Sequence, residues 1–309
     1  MDNAFLQDQL LQLLNQIFGT KVELVSQQTA NQQHDYLVLL IQLRHPSMEI
    51  VVKLAGPDSS MAASFQRTAM LQRLVATHTT IPMPEILAIN MSYQDWPWRY
   101  MIKTYIPGQE WAKVRGKMSS AELSDAYQQI GRAVAQLHRI QFPAFGELAI
   151  NGSVQENKPY LIAFREHAQN IIRNAYLRDL FFAMLDKTEH LFMDILQARL
   201  CHEDLHGYNI LFQYQHGQWH LATILDFDKA WAGHYEIDLA RMEFWKGMTS
   251  KAFWGAYEEI FPREPIVEQR QLIYQLLWCF EFAKNTPEHL RDTHNLCAEL
   301  GIPCPDRFE

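Results

Sequence analysis

The most constraining feature of this chain is a polar loop, residues 202–209, that lies between apolar stretches. It reads His-Glu-Asp-Leu-His-Gly-Tyr-Asn, and two apolar runs follow it before Asp226. Transfer of a phosphoryl group from a nucleotide to a hydroxyl needs a carboxylate that orients the hydroxyl and oxygen ligands that hold magnesium. The order and spacing therefore predict Asp204 as the catalytic base and Asn209 and Asp226 as ligands of Mg²⁺.

The alternative for each of these polar residues is a local structural role. A single Asp or His in a turn most often caps a helix or satisfies the neighbouring backbone. Two acids and an amide in this order, each beside a β-branched or aromatic run, are a more specific pattern. We therefore favour a kinase-like site over three unrelated turns.

The loop resembles the catalytic loop of the aminoglycoside phosphotransferase and choline kinase-like family, small-molecule kinases that share the protein-kinase fold. Members commonly show His-Gly-Asp-Leu-His-Pro-Gly-Asn, and this chain differs at Glu203, Gly207 and Tyr208. His206 is similar to the small-molecule branch, since protein serine kinases usually carry Lys there. The resemblance implies an α+β, bilobal protein-kinase-like fold with an antiparallel-sheet N-lobe and a mainly helical C-lobe. It also implies ATP or GTP as the phosphoryl donor.

Composition narrows the class of protein and its partners. The chain has 309 residues, and 27 Lys and Arg against 35 Asp and Glu give a net charge of −8. This acidic balance argues against nonspecific nucleic-acid binding, which relies on basic surface. The four cysteines form no Cys-x-x-Cys pair, and the sequence shows neither a signal peptide nor an apolar run that could span a membrane. We therefore expect a cytoplasmic protein without membrane or nucleic-acid partners.

The N-terminal third predicts a helix over residues 4–18 and three antiparallel strands. The strands are expected at 21–27, 36–43 and 49–54, from their alternation and β-branching. Lys53 lies in the third strand among apolar residues, where an unpaired charge would be costly to bury. By resemblance to the family, it is the strand lysine that binds nucleotide phosphates.

Two features depart from the family pattern in this region. Residues 28–35, expected as the loop between the first two strands, contain no glycine. A glycine-rich loop lets backbone N–H groups approach phosphates closely, so here the Asn31 side chain is the candidate replacement. The helix predicted from about residue 60 to 76 has no acid, and Thr68 stands where the family has a Glu that pairs with the strand lysine. Gln66 or Gln72 could orient Lys53 instead.

Residues 99–108 predict a strand that ends in Pro107-Gly108. The segment resembles the interlobe hinge of the family, and backbone groups near Thr104 and Ile106 would then bind the purine. We place the lobe boundary here, with a nucleotide-binding lobe at 1–107 and a catalytic and substrate-binding lobe at 108–309.

The second lobe is expected to be helical, with helices from Ser120, over 157–178 and over 180–199. His138, His202 and Asp238 are interpreted as structural residues. Only a short segment separates Asp226 from the Asp-Leu-Ala sequence at 238–240. It leaves little room for the long activation segment of a protein kinase, which favours a small hydroxyl-bearing acceptor.

The C-terminal region combines large aromatic residues with four carboxylates, Glu243, Glu258, Glu259 and Glu281. Such groups can bind an amine through cation–π and ion-pair contacts, although aromatic residues at helical spacing more often form core. The sequence thus predicts a small-molecule kinase whose acceptor is an aminoglycoside-like compound, an amino alcohol or a sugar. The alternatives are a catalytically degenerate binding module of the same fold and, less favoured, a protein kinase. The acceptor, the nucleotide preference and the oligomeric state do not follow from the sequence.

Overall fold

The computed structural model describes residues 3–33, 35–59, 65–94, 96–263, 265 and 267–308. The chain forms two compact units. The N-terminal unit comprises Met1–Arg73 and Pro82–Pro107, and the C-terminal unit comprises Leu74–Ile81 and Gly108–Glu309. An antiparallel sheet and helices are both present, so the predicted α+β class is confirmed.

The N-terminal unit is built on a five-stranded antiparallel sheet with the strand order β1-β2-β3-β5-β4. The three strands predicted at its start are confirmed, as β1 to β3. In chain order the elements up to residue 107 are α1 (Asn3–Phe18), β1 (Glu23–Gln33), β2 (Tyr36–His45), β3 (Met48–Ala55), α2 (Phe65–His78), β4 (Ile86–Asn90) and β5 (Arg99–Thr104). The last residues of α2, from Leu74 on, belong to the C-terminal unit.

Two apolar clusters hold this sheet, one on each face, because side chains alternate along a strand. Ile50, Val52 and Leu54 of β3 are completely buried and belong to a cluster with apolar residues of α1. Ala55 and Met101 belong to the second cluster, together with Tyr36 and Phe65. Burial of each large apolar side chain stabilises the fold by about 1.5–3 kcal/mol, which fixes β3 at the centre of the unit.

The first hairpin corrects the predicted loop at 28–35. β1 continues to Gln33, and Asn31 pairs with Val38 of β2, with an irregularity between Thr29 and Asn31. Polar residues at the edge of a sheet can stay extended when they pair with a neighbouring strand, and residues 28–35 contain no glycine to break the strand. The predicted loop is therefore a strand up to the turn, and His34 lies outside the described residues.

A close contact anchors the tip of this hairpin. Asp35 has a left-handed backbone with φ 53°. Its carbonyl accepts a hydrogen bond from Gly56 N–H at 2.9 Å, and its carboxylate accepts one from Asp58 N–H at 2.7 Å. A Cβ atom on Gly56 would lie 2.1 Å from the Asp35 carboxylate. A side chain at position 56 would therefore force the Asp35 carboxylate to move.

The C-terminal unit combines helices with two small three-stranded sheets. Its elements are β6 (Gln109–Glu110), α3 (Trp111–Val114), α4 (Ser120–Arg139), β7 (Gln141–Phe142), α5 (Tyr160–Ile171), α6 (Ala175–Lys187), β8 (Ala198–Cys201), β9 (Ile210–Gln215), β10 (Gln218–Ile224), β11 (Trp231–Gly233), α7 (Glu236–Phe244), α8 (Lys251–Ile260), α9 (Glu268–Phe282) and α10 (Pro287–Glu299). No helix among the described residues is long and apolar enough to cross a membrane.

The helix predicted from Ser120 is confirmed as α4. A capping box formed by Ser119 and Glu122 defines its start, and such a cap contributes about 1 kcal/mol. The helix predicted over 180–199 is wrong beyond Lys187. The Thr188 hydroxyl donates to the Met184 carbonyl at 2.8 Å where α6 ends. The chain then forms strand β8, which pairs with β7 and β11.

The two small sheets determine where the polar loop lies. One has the order β10-β9-β6 and the other β11-β8-β7. Residues 202–209 connect β8 of one sheet to β9 of the other, and residues 225–226 follow β10 directly. Adjacent strand ends therefore carry all three residues that the sequence assigns to phosphoryl transfer.

Candidate active site

Asp238 anchors the start of the polar loop, here called the catalytic loop, residues 202–209. Its two carboxylate oxygens accept hydrogen bonds from the His202 and Glu203 backbone N–H groups, each at 2.7 Å. His138 Nε2 lies 3.2 Å from the same completely buried carboxylate. Burial raises the pKa of Asp238, but the hydrogen bond with His138 and the charges nearby lower it overall. Asp238 is thus an ionised structural brace, as interpreted from the sequence.

His202 links the catalytic loop to the chain just before Asp226. Its Nε2 lies 2.8 Å from the Leu225 carbonyl, and its Nδ1 lies 3.2 Å from the Asp204 N–H. A carbonyl can only accept, so Nε2 donates and Nδ1 accepts. The ring is therefore a neutral brace in this arrangement, and both its nitrogens are engaged by backbone.

Asn209 is tied to the residue predicted as the base. Its Nδ2 donates to the Asp204 carbonyl at 2.9 Å and to the Asp204 carboxylate at 3.1 Å. With the amide nitrogen held in this way, its Oδ1 makes no hydrogen bond within the described part of the chain. An uncommitted amide oxygen beside a carboxylate is suited to a hard cation.

Asp226 lies at the same hairpin end as Asn209. Ile210 and Ile224 are paired in the β9–β10 register, and Leu225 N–H donates to the Asn209 carbonyl at 2.8 Å. Asp226 comes next, with φ 63° and an exposed side chain. A left-handed backbone at a non-glycine residue is uncommon and costs energy. The backbone therefore turns sharply at Asp226.

The Asp204 carboxylate lies among cationic groups. His206 Nε2 is 3.6 Å from one oxygen, while Lys229 Nζ and Arg241 Nη1 are 3.8 and 3.9 Å from the other. Partial burial raises the pKa of Asp204, but the His206 hydrogen bond and the Lys229 and Arg241 charges outweigh it and hold the pKa well below its usual range. Asp204 is thus ionised at neutral pH, and orientation of a hydroxyl suits it better than strong proton abstraction.

Glu203 occupies the position where the resembling family commonly has glycine. Its backbone has φ 65°, which explains the preference for glycine there. The side chain is buried, with His167 Nε2 at 3.3 Å and Arg241 Nη2 at 3.8 Å from its Oε2. A buried carboxylate needs such partners, so this chain combines a strained backbone with an added buried charge beside Asp204.

His167 provides the counter-charge for Glu203. Its ring stacks on Trp231 with centroids 4.1 Å apart, and its Nδ1 lies 2.7 Å from Glu147. Burial lowers the pKa of His167, but the Glu203 and Glu147 carboxylates raise it overall to about 9. The imidazole is therefore protonated at neutral pH.

Glu281, from α9, completes this network of charges. Its Oε1 lies 2.6 Å from Lys229 Nζ, and its Oε2 lies 3.0 Å from Arg241 Nη2. Sequence reasoning missed the roles of His167, Lys229 and Arg241 here. Arg241 lies about one helical turn beyond Asp238, which is a usable signal. No sequence signal connects His167 or Glu281 to the loop, because both come from distant helices.

Lys53 is half-buried on β3, between the completely buried Val52 and Leu54. It pairs in register with Val38 and Met101. The helix expected to carry its partner, α2, begins at Phe65, and residues 60–64 lie outside the described ones.

Two neutral side chains of α2 are buried, Thr68 and Gln72. The Gln72 Oε1 atom has no hydrogen-bond partner among the described residues. The assignment of Lys53 to the phosphates stays a prediction.

The backbone at the predicted hinge, from Thr104 at the end of β5 to Ile106, is only partly available to bind a purine. The Thr104 N–H donates to the Glu85 carbonyl and its hydroxyl accepts from Glu85 N–H, both at 2.9 Å. The Tyr105 N–H donates to the Glu49 carbonyl at 2.9 Å. No hydrogen bond within the described residues engages the backbone of Ile106. Ile106 is therefore the better candidate to bind a purine, whereas the Thr104 N–H is already used.

Asn31 is exposed on edge strand β1. Its side chain can donate hydrogen bonds to a phosphate, but from a strand rather than from the predicted loop. Its role in nucleotide binding stays a prediction.

The carboxylates expected to attract a cationic acceptor are already engaged. Glu281 pairs with Lys229 and Arg241, and Glu258 pairs with Arg263 at 2.7 Å. Glu259 lies 4.0 Å from Arg132, and Glu243 accepts a hydrogen bond from Gln271. Several of the aromatic residues, such as Phe253, Tyr257 and Phe280, are completely buried core.

Comparison with known proteins identifies the family of this chain. The sequence profile of the phosphotransferase enzyme family matches residues 30–264. No curated protein sequence matches significantly. The chain belongs to the phosphotransferase enzyme family, which confirms the resemblance seen in the catalytic loop. The chain is therefore a phosphotransferase.

Solved structures share the fold at low sequence identity. A protein provisionally assigned as a fructosamine-3-kinase from Haemophilus somnus 129PT has 18% identity and a TM-score of 0.66, with 94% of this chain and 96% of that chain covered. An aminoglycoside phosphotransferase in a ternary complex with ADP and hygromycin B has 15% identity and a TM-score of 0.64, with coverage of 94% and 96%. Plasmodium vivax ethanolamine kinase has 14% identity and a TM-score of 0.57, with coverage of 91% and 82%. The predicted protein-kinase-like fold is confirmed.

Proposed function

We propose that this phosphotransferase moves the γ-phosphoryl group of ATP or GTP to a hydroxyl of a small substrate. The observation that carries the proposal is the bonded unit of Asp204 and Asn209, locked by His202 to the residue before Asp226. A base and two oxygen ligands on one rigid loop-and-hairpin assembly are what phosphoryl transfer requires. The solved relative bound to ADP and hygromycin B supports both the nucleotide and a small acceptor.

In this proposal Asp204 orients the acceptor hydroxyl. The hydroxyl oxygen forms a bond to the γ-phosphorus, the bond from that phosphorus to the β–γ bridging oxygen breaks, and the nucleoside diphosphate leaves with the electron pair. The hydroxyl proton passes to Asp204 as the hydroxyl oxygen donates electron density to the phosphorus. Since the pKa of Asp204 is low, the proton transfers late, when the attacking hydroxyl has become acidic.

The donor set fits Mg²⁺ at Asn209 and Asp226. Mg²⁺ usually binds one or two protein oxygens, with waters and substrate phosphates completing its coordination. The Asn209 Oδ1 is turned away from Asp204, and Asp226 follows at the same hairpin end. No group of three or more His, Cys, Asp or Glu among the described residues is arranged to hold a metal. When bound, Mg²⁺ would neutralise charge on the phosphates.

The nucleotide assignments in the N-terminal unit are part of the same proposal. Lys53 would contact phosphate, and the backbone around Thr104 and Ile106 would bind the base, chiefly through Ile106. Asn31 would donate to a phosphate from β1. These residues all lie in the predicted nucleotide-binding lobe at 1–107. The predicted catalytic and substrate-binding lobe is residues 108–309.

Two alternatives are less well supported. A protein kinase needs a long accessible segment after its metal-binding Asp, whereas residues 230–242 are all buried here. A degenerate binding module need not retain the Asp204, Asn209 and Asp226 arrangement together with its braces.

Release of ADP or GDP in a coupled assay tests the proposal. We would present a panel of amino sugars, amino alcohols, sugars and sugar acids with each nucleotide and Mg²⁺. Acceptor-dependent release is expected in the native chain, and Asp226→Ala should abolish it. Release that Asp226→Ala leaves unchanged would contradict the assigned role of Asp226. Phosphorylation of peptides but of no small molecule would favour the protein kinase.

A further inference from the structure

A pocket adjoins the catalytic loop within the C-terminal unit. It has a volume of about 690 Å³ and opens between the end of α5, the residue pair Lys229 and Glu281, and the end of α9. This volume lies in the range of small-molecule sites, about 300–1,000 Å³. Lys229 contributes to the pocket wall and is also 3.8 Å from the Asp204 carboxylate. The pocket therefore begins beside the residue proposed as the base.

The charge of this pocket is positive. Glu281 is the one acid among its described lining residues, and Lys229 and Arg241 contact its two oxygens at 2.6 and 3.0 Å. Arg173 also lines the pocket, is exposed, and makes no ion pair with any described residue. Its guanidinium is thus available to a ligand.

Aromatic rings give the same pocket an apolar wall, and two lysine ammonium groups lie near one of these rings. Phe280 and Phe282 line it. The Phe282 ring has Lys229 Nζ 4.7 Å from its centroid and Lys284 Nζ 5.1 Å from it. The two ammonium groups already occupy positions near this ring, where a cationic ligand would otherwise make a cation–π contact. A second ammonium group from a ligand would be repelled there.

We infer that the acceptor carries an anionic group, a carboxylate, which Arg173 binds while the hydroxyl faces Asp204. The inference rests on the proposed function and specifies its acceptor class. A planar guanidinium suits bidentate contact with a carboxylate, and the phenylalanine rings suit an apolar body between the two polar ends. The sequence-based suggestion of a cationic acceptor is not favoured by this pocket.

Binding of three matched alcohols tests the acceptor charge. The probes are para-(hydroxymethyl)benzoate, the corresponding benzamide, and para-(aminomethyl)benzyl alcohol, which place a negative, neutral or positive group on one scaffold. Ligand-detected NMR titration of the full chain measures each Kd. The benzoate should bind at least about tenfold more tightly than the amine, the effect of one charge-assisted hydrogen bond.

Charge-reversal variants test which residues cause the preference for the benzoate over the amine. Arg173→Glu should remove the preference for the benzoate, and Lys284→Glu should reduce it. Lys187→Glu makes the same charge change at an exposed residue of α6 outside the pocket lining and should leave the preference intact. Equal unfolding temperatures would exclude a folding defect. A preference that Arg173→Glu leaves unchanged would overturn the inference.

Nucleotide titration of the same samples separates this inference from the proposed function. If ATP or GTP binds but the benzoate shows no preference over the amine, or no probe binds at all, the anionic acceptor is wrong and the kinase proposal stands. If neither nucleotide binds, the proposed function fails, whatever the probes show.

Discussion

The catalytic loop and the first hairpin are held in place by different physical means. At the catalytic loop, buried charges compensate one another: Glu203 and Asp204 lie against His167 and Arg241. At the hairpin, strand pairing and one close backbone approach at Gly56 fix the geometry. Removal of a charge should therefore affect the catalytic loop strongly, whereas added volume should affect the hairpin.

The largest effect is expected for Asp204→Asn. The substitution keeps the shape but removes the charge and the proton acceptor, so kcat should fall by about 10²–10⁴-fold. Nucleotide Kd should change by less than about threefold, because Asn209 keeps its hydrogen bond to the Asp204 backbone carbonyl. Initial rates and calorimetric titration measure the two quantities. Asp194→Asn, at an exposed residue, is the control, and a comparable loss of nucleotide binding in Asp204→Asn would count against its role.

Arg241→Met should produce the largest loss of stability. It removes one of the two cationic partners of Glu203 and of Glu281, which keep His167 and Lys229 respectively, and breaking a buried pair costs about 3–5 kcal/mol. The free energy of unfolding from urea denaturation measures this change. Arg291→Met breaks the exposed pair with Asp292 and should cost at most about 1 kcal/mol. Similar losses in the two variants would refute the charge network as the main constraint on the loop.

The charged state of His167 predicts a dependence of stability on pH. Folding raises its pKa from 6.5 to about 9, so the protonated ring stabilises the folded state. This contribution is complete below pH 6.5 and is lost as the pH rises through about 9. A shift of this size corresponds to roughly 3 kcal/mol.

Urea denaturation across this range checks the His167 prediction. His167→Gln should flatten the decline, whereas His190→Gln, at an exposed histidine, should not. An equally steep decline in His167→Gln would assign the effect to another group.

Gly56→Ala tests the hairpin side of the comparison and should have the smallest effect of the four. The added Cβ would lie 2.1 Å from the Asp35 carboxylate, which must move and give up its bond to Asp58 N–H. We expect a loss of about 1–3 kcal/mol in the free energy of unfolding. Gly116→Ala is the matched control, since no atom lies within 4 Å of its added Cβ. Equal stability of the two variants would show that the hairpin tip is not anchored at Gly56.

Local features of both regions were predictable from the sequence. Asp204, Asn209 and Asp226 lie on one loop and one hairpin, so their order in the chain nearly determines their proximity. β2 and β3 follow from alternation, and they lie within two residues of their predicted ends.

The other features depend on tertiary contacts. His167 and Glu281 reach the loop from α5 and α9, and no spacing rule relates them to it. Residues 28–33 looked like a loop because they are polar, yet pairing with β2 keeps them extended. The sequence shows that Glu203 replaces the glycine common in the family. It does not show that His167 and Arg241 compensate the charge of this residue.

Calorimetric titration with ATP and GTP, with and without Mg²⁺, tests the central claim most directly. We predict binding of at least one nucleotide that depends on Mg²⁺ in the native chain and loses that dependence in Asp226→Ala. The absence of binding to either nucleotide would contradict the claim that Asp204, Asn209 and Asp226 form a phosphoryl-transfer site.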